Sequence, residues 1–411
     1  MSGGADSLAL LLLTAAWCKK RRLPPPHALT VDHGLRPDSA TEAARVAAWA
    51  RLHAVPHTTL VWAGHKPAQN IQALARDARY DLLGAWMRAH GVKLLLTGHT
   101  LDDQAETFLL RLARGSGLDG LSGMAPLARF PLASSGGLQI ARPLLAFAHD
   151  RLTATLERQN QPWISDPSNE NDRFARVQMR NALHELKGAG LTPERIAAAA
   201  AHLRRAREAI DVSVAALIAD AVEMAPWGYA LAATDRFAAA PREVALRALS
   251  RLIEALGGSD YPPRFEQSEA ALDWLIAPFA KPKGRTLGGC RLVRRDTKTV
   301  LVAREETALA KEEPRLSLTS GESASWDRRF AVALAPHGGD TVFEVRRLGT
   351  EGLKALGAKA LLPPVEPHRI AATVPGLFQS GRLVAAPLLG LVNPKIAFSA
   401  HFSALSRLTG G

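Results

Sequence analysis

The chain has 411 residues, of which 47% are hydrophobic and 22% are charged, and its formal net charge is +12. This length allows two or three domains with separate cores, and this composition is that of a globular chain and excludes a disordered one. The excess of Lys and Arg favours a polyanionic partner such as nucleic acid, although a merely basic surface is the alternative.

Cysteine usage and the N-terminal residues bear on the compartment. Only Cys18 and Cys290 occur, so the sequence offers no disulfide framework and no CxxC metal site. The apolar run 8–17 follows Asp6 and precedes the basic residues 19–22, the reverse of the order in a secretory signal. At about ten residues, this run is also too short to span a bilayer. We therefore predict a cytoplasmic protein with no membrane partner.

Helical and strand-like patterns alternate over the first part of the chain. This alternation predicts an α/β domain in which helices wrap a parallel sheet. The predicted elements are helix 8–20, strand 28–32, helix 40–53, strand 57–62, helix 70–90, strand 93–97, helix 103–113, a Gly-rich loop at 114–123, a hairpin or flexible connection at 127–139, and helices at 149–160 and near 173–187.

The remaining sequence changes character twice. Residues 193–256 are rich in Ala, Arg and Leu with helical periodicity, which predicts a helical domain. Residues 281–306 are basic and alternate like strands, and Pro and Gly punctuate the chain after 312, which indicates a small mixed or β-rich domain. The predicted domains are 1–190, 191–305 and 306–411.

The segment SGGADS, which opens the first predicted helix, is the most informative motif. Gly3 and Gly4 let the backbone approach an anion, and Ser2, Ser7 and the free amides of a helix start can donate to phosphate oxygens. A carboxylate such as Asp6 repels phosphates unless a cation lies between them, so we interpret Asp6 as a residue that binds Mg²⁺. The alternative is an ordinary Ser- or Asp-capped helix after a glycine turn.

Polar clusters also follow two further predicted strands, VDHGLRPDS at 31–39 and TGHTLDDQAET at 97–107. In open α/β sheets the ligand crevice lies at the carboxyl ends of the strands, so these clusters should converge with SGGADS. Asp102 or Asp103 shares a helix face with Glu106, and such a pair can hold a metal ion or an ammonium group. A helix cap is the alternative, and it explains Asp102 better than Glu106.

Four groups of arginines are candidates for contacts with substrate or RNA. The ordinary alternative is a solvated side chain that pairs with a nearby acid or neutralises a helix C-terminus. The group at 285–295 could hold an RNA backbone or form a solvated hairpin face. The four groups are Arg76 and Arg79; Arg111 and Arg114; Arg176 and Arg180; and Arg285, Arg291, Arg294 and Arg295.

Several of these motifs together resemble a known family. SGGADS resembles the PP-loop of ATP pyrophosphatases that adenylate their substrates, and four further segments are similar to the tRNA(Ile)-lysidine synthetase family within that group. These segments are VDHGLR, NIQALARDARYDLL, GHTLDDQAETFLLRLARGSGLDGLSGM and DPSNENDRFARVQMRN. The resemblance is dense to about residue 185 and loose beyond it, and Val177 stands where many relatives carry Asn.

The resemblance implies an adenine-nucleotide α-hydrolase-like fold that uses ATP and Mg²⁺. It implies that free L-lysine is joined to the wobble cytidine of the CAU anticodon of tRNA(Ile), through an adenylated cytidine, with release of AMP and pyrophosphate. The roles expected from the motifs and the resemblance are catalysis for Asp6, Arg76, Arg79 and Arg176; ATP binding for Ser2, Gly3, Gly4, Ala5, Asp6, Ser7, His33 and His99, with Asp6 also holding Mg²⁺ through the phosphates; lysine binding for Asp103 and Glu106; and tRNA binding for Arg111, Arg114, Arg180, Arg285 and Arg291.

Two other functions stay open at this point: another PP-loop enzyme that modifies tRNA or forms amides, and a non-catalytic RNA-binding protein. The missing CxxC disfavours iron–sulfur-type thiolation, and the presence of Asp6, His99, Asp103 and Glu106 argues against a decayed site. The oligomeric state is open, with a homodimer as one alternative. Because no strand precedes SGGADS to carry the loop, we expect the natural protein to start upstream of Met1.

Overall fold

The computed structural model describes most of the chain, and every structural statement below concerns the described residues. These are 1–64, 71–131, 137–165, 175–259, 262–278, 284–339, 341–357, 360–404 and 408, with the side chains of Gln72, Ala175 and Arg176 excepted. The chain divides into two compact units, Met1–Arg207 and Glu208–Gly411. The three-domain division stays a prediction.

The first unit alternates helices with strands, as its periodicity predicts. The predicted helices and strands up to residue 113 are all present, with ends that differ by at most three residues. The elements are α1 Ala5–Arg21, β1 Ala28–Asp32, α2 Ser39–Leu52, β2 His57–Val61, α3 Ile71–Ala89, β3 Leu94–Leu96, α4 Leu101–Ala113, α5 Leu118–Leu121, β4 Leu127–Arg129, β5 Gln139–Ala141, α6 His149–Arg158, α7 Ala175–Leu186 and α8 Pro193–Ala221, within which the division between the units falls.

Parallel pairing confirms the α/β class. Strand β1 runs parallel to β2, and β3 runs parallel to β5, which also pairs with β4 as an antiparallel hairpin. The two groups form separate hydrogen-bonded sheets among the described residues. The carboxyl ends of β1, β3 and β5 lead into loops that carry polar side chains, and such ends form the ligand crevice of open α/β sheets.

Helices cover these strands with apolar side chains. Leu8 and Leu12 of α1 pack with Leu152 and Leu156 of α6 in one buried cluster. A second cluster surrounds Tyr80 of α3, whose ring meets that of Phe130 edge-on at 5.6 Å between centroids. The first cluster packs α1 against α6, and the second packs α3 against β1 and β5.

The second unit is richer in strands than its sequence predicts. Residues 222–233, which lie inside the predicted helical stretch, instead form a hairpin that turns at Gly228 with φ +78°. The hairpin joins a five-stranded sheet in the order β6-β7-β10-β9-β8, while the C-terminal part forms further antiparallel sheets in the orders β11-β14-β15-β16 and β12-β13-β17. The strand-rich C-terminal region confirms the predicted β-rich part.

The elements of the second unit are β6 Val222–Ala225, β7 Tyr229–Ala233, α9 Thr234–Ala239, α10 Arg242–Gly257, α11 Phe265–Ile276, β8 Arg285–Leu287, β9 Cys290–Arg294, β10 Thr299–Arg304, α12 Glu306–Glu312, β11 Leu316–Leu318, β12 Ser323–Trp326, β13 Phe330–Leu334, β14 Phe343–Arg347, α13 Gly349–Leu356, α14 Pro367–Ala371, β15 Pro375–Gln379, β16 Arg382–Ala385 and β17 Phe398–Phe402. Buried residues of α10 pack on β9 and β10 and form the largest core of this unit. Across the described ranges of both units, no helix has the length and apolar character to cross a membrane.

Candidate active site

The start of α1 is shaped to receive an anion. Gly3 has φ +83°, and a Cβ atom at this position would lie 2.7 Å from Ile164 Cδ1, so only glycine fits here. Gly4 is the N-cap in an extended conformation and makes no side-chain cap hydrogen bond, while Ser7 Oγ donates to Gly4 O at 2.9 Å. Among the described residues no side chain caps this helix, so the structure does not show the alternative of a side-chain-capped helix, and the first-turn amides have the geometry that suits an anion.

The loop between β3 and α4 lies directly on this phosphate loop. A Cβ atom on Gly98 would lie 3.0 Å from Asp6 O and 3.2 Å from Ser7 N, so the two backbones are in contact. His99 follows at once, and its Nδ1 lies 3.0 Å from Thr97 Oγ1. Two of the three predicted polar clusters thus meet.

Asp6 has a partner that the sequence analysis missed. His149, the first residue of α6, places Nδ1 2.8 Å from Asp6 Oδ1, and its backbone N donates to Asp102 Oδ2 at 2.7 Å. The hydrogen bond to Asp6 raises the pKa of His149, although partial burial opposes the shift. His149 and Asp6 are 143 residues apart, and the only sequence signal was a polar residue soon after ARPLL.

The acidic residues of α4 have different environments. Asp103 completes a capping box, in which its Oδ2 accepts from Thr100 N at 2.9 Å. The sequence analysis named a helix cap as the alternative for these acids, and the structure gives that role to Asp103, the third residue of the helix that begins at Leu101. Glu106 is buried, and its Oε1 accepts a hydrogen bond from Arg180 Nε at 2.9 Å. This contact joins a residue that we predicted to bind lysine, Glu106, to one that we predicted to bind tRNA, Arg180.

The arginines of α3 lie beside the loop after β1. Arg79 Nη2 lies 3.5 Å from His33 Nε2, and the Arg76 guanidinium stacks over the Tyr80 ring at 5.3 Å from its centroid. Within the described parts of the chain, neither arginine forms an ion pair with a carboxylate within 4.0 Å. The structure therefore does not show the expected alternative of pairing with Asp77 or Asp81.

Arg111 shapes the Gly-rich loop. Its Nη1 donates to Gly120 O at 2.8 Å and to Gly123 O at 3.2 Å, and burial lowers the pKa of its guanidinium. Buried Gln104 holds the end of the same loop, because it donates to Met124 O at 2.8 Å and accepts from Met124 N at 2.6 Å. Arg114, the C-cap residue of α4, is exposed.

The basic cluster of the second unit is largely engaged by the protein itself. Arg285 donates to Ala270 O, and Arg291 forms an ion pair with Glu366. Arg294 is buried and donates to backbone carbonyls at the end of α11, including Leu275 O at 3.1 Å. The side chain of Arg176 and the sequence 166–174 lie outside the described residues.

The uncapped, glycine-preceded start of α1 belongs to a PP-loop domain, because a family model described as a PP-loop domain matches residues 1–187. The chain is 36% identical over 397 residues to a tRNA(Ile)-lysidine synthase of Ruegeria pomeroyi, covering 96% of this chain and 88% of that protein. It is 44% identical over 301 residues to a tRNA(Ile)-lysidine synthase of Methylobacterium sp. strain 4-46, covering 71% and 84%. The chain therefore belongs to the tRNA(Ile)-lysidine synthase family.

Among solved structures, the chain is similar to a U34-tRNA thiolase of Methanococcus maripaludis that carries a [4Fe-4S] cluster. The sequence identity is 16% and the TM-score 0.42, with 50% of this chain and 70% of that chain covered.

Proposed function

We propose that this protein is an ATP-dependent ligase that forms lysidine on tRNA(Ile). The observation that carries the proposal is the open start of α1, held under the β3–α4 loop in a chain of this family. This helix start supplies backbone donors for the phosphates of ATP, and the adjoining acidic side chains can bind an amine.

The reaction proceeds in two displacements. The base oxygen of the wobble cytidine in the CAU anticodon attacks the α-phosphate of ATP, and the bond to pyrophosphate breaks. The deprotonated amine of free lysine then attacks the activated ring carbon, and AMP leaves with the base oxygen. Adenylation is required because a carbonyl oxygen is a poor leaving group. The protein mainly positions the reactants and stabilises developing charge.

The residues at the α1 start fit a Mg²⁺ ion that bridges to ATP phosphates. Asp6 uses Oδ1 for His149, and its Oδ2 has no hydrogen-bond partner among the described residues. Within the same residues, no group of three or more His, Cys, Asp or Glu side chains could hold a metal by itself. Mg²⁺ usually takes one or two carboxylates together with substrate phosphates, which matches a single Asp6 ligand. The bound ion would neutralise phosphate charge.

Lysine would be held through its ammonium and carboxylate charges beside α4. Only Oδ2 of Asp103 takes part in the capping hydrogen bonds, so Oδ1 is not used there. Glu106 offers a buried carboxylate that Arg180 neutralises. A substrate ammonium could replace the half-exposed Arg180 guanidinium as the partner of Glu106, since a buried carboxylate is costly without a cation.

The test is mass spectrometry of the tRNA anticodon loop after incubation with ATP and isotopically labelled lysine. We expect the label on the wobble cytidine with wild type and no label with Asp6→Asn. Glu157→Gln is the matched control, because Glu157 is an exposed carboxylate of the same unit near the C-terminal end of α6, where it takes no part in the site. Absence of label with wild type, or equal labelling by Asp6→Asn, would contradict the proposal.

A further inference from the structure

Arg142 stands out because part of its guanidinium is buried without a partner. It follows β5, and its backbone N donates to Pro126 O at 2.7 Å. Its Nη1 donates to Ala125 O at 2.8 Å, whereas its buried Nε has no hydrogen-bond partner among the described residues. A buried, unpaired donor costs free energy unless a ligand satisfies it.

The surroundings of Arg142 are positively charged. Burial lowers the pKa of its guanidinium, and the nearby Arg76 lowers it further while Tyr80 opposes the shift. Arg79 lies on the same helix turn as Arg76 and reaches His33. None of the three guanidinium groups has a carboxylate within 4.0 Å in the part of the chain that the structure describes. An anion would offset this uncompensated charge.

The position of the cluster favours an extended anion. Ala141 O accepts from Thr97 N at 3.0 Å, so Arg142 emerges at the same sheet edge as the loop that carries His99. The amides of α1 already provide donors for a triphosphate. Arg76 and Arg79 are exposed and Arg142 is half-buried, so an anion that meets all three must reach inward from the surface. A polynucleotide backbone is long enough to do so.

We propose that Arg142, together with Arg76 and Arg79, binds a phosphodiester group of the tRNA substrate. This inference rests on the proposed function, which supplies the tRNA. The guanidinium of Arg142 has the planar fork of donors that suits a phosphate: Nη1 is held by Ala125 O, Nε is buried, and Nη2 makes no hydrogen bond with any described residue.

The experiment measures binding of tRNA(Ile) to the full chain at several salt concentrations. We expect Arg142→Gln to raise Kd about tenfold or more and to reduce the slope of log affinity against log salt by about one, with the KM for ATP unchanged. Arg129→Gln removes the same charge from exposed β4 and should leave both quantities at wild-type values. Equal behaviour of the two variants, or an effect confined to ATP, would overturn the inference.

Arg142→Lys keeps the inference testable if Arg142→Gln fails to fold. Lysine keeps the charge, but one ammonium cannot serve both Ala125 O and a phosphate with the same geometry. We expect weaker tRNA binding with the salt slope retained, and wild-type affinity would overturn the inference. These assays need no turnover, so a wild-type protein that binds tRNA without forming lysidine would refute the proposed function alone.

Discussion

Gly98→Ala should push the β3–α4 loop off the phosphate loop. The new Cβ atom would lie 3.0 Å from Asp6 O, 3.1 Å from Asp6 C and 3.2 Å from Ser7 N. All three are backbone atoms, so no flexible side chain can move aside. The contacts are a few tenths of an ångström too short for a carbon atom, and the two loops must separate to accept them.

The change that Gly98→Ala makes in the free energy of unfolding is the sum of two opposing contributions. Overpacking of this kind costs about 1–3 kcal/mol, whereas replacing glycine by alanine recovers about 0.4–1 kcal/mol by restricting the unfolded chain. The net loss of stability should be about 1–2 kcal/mol. Catalysis should suffer more, because displaced phosphate-binding amides lose their alignment, and kcat/KM for ATP should fall by about tenfold to a hundredfold.

Urea unfolding and tRNA-dependent pyrophosphate release measure these two effects. Gly188→Ala is the matched control, since nothing lies within 4 Å of a Cβ atom there and its φ is not positive. That control should be neutral or slightly stabilising. The reasoning is refuted if Gly98→Ala matches Gly188→Ala in both assays, because the close approach of Gly98 to Asp6 would then have no consequence.

Three further predictions concern neighbouring contacts. Glu106→Gln should raise the KM for lysine more than the KM for ATP, because a charged hydrogen bond worth about 1.5–3 kcal/mol is lost, and equal effects in steady-state kinetics would contradict this. In an NMR titration, the raised pKa of His149 should fall in Asp6→Asn, and an unchanged pKa would show that Asp6 is not its cause. In wild type, the contribution of the His149–Asp6 contact to stability is fully present below the ordinary histidine pKa of about 6.5. It is lost as the pH rises through the raised pKa of His149. Gln104→Leu should cost about 1–3 kcal/mol in urea unfolding, since Met124 N loses its acceptor while Met124 O keeps Arg204 Nη1 at 3.3 Å, and a loss no larger than that of a surface substitution would contradict it.

Local patterns in the sequence determined much of the first unit. The alternating periodicities placed every helix and strand from α1 to α4, because the spacing of apolar residues that buries one face of a helix or strand is set by residues close together in the chain. The segment SGGADS predicted an anion-binding helix start from local chemistry, because glycines leave the backbone amides at a helix start accessible. Only at residues 222–233 did helical composition mislead, because pairing of β7 with β10 outweighs the propensity of Ala and Leu.

Tertiary structure alone decided which side chains meet. The sequence could not show that His149 contacts Asp6 or that Arg180 neutralises Glu106. Each contact joins residues that lie far apart along the chain. Such contacts depend on how strands order themselves and how helices pack across them, and this packing is a property of the whole unit that no local periodicity encodes.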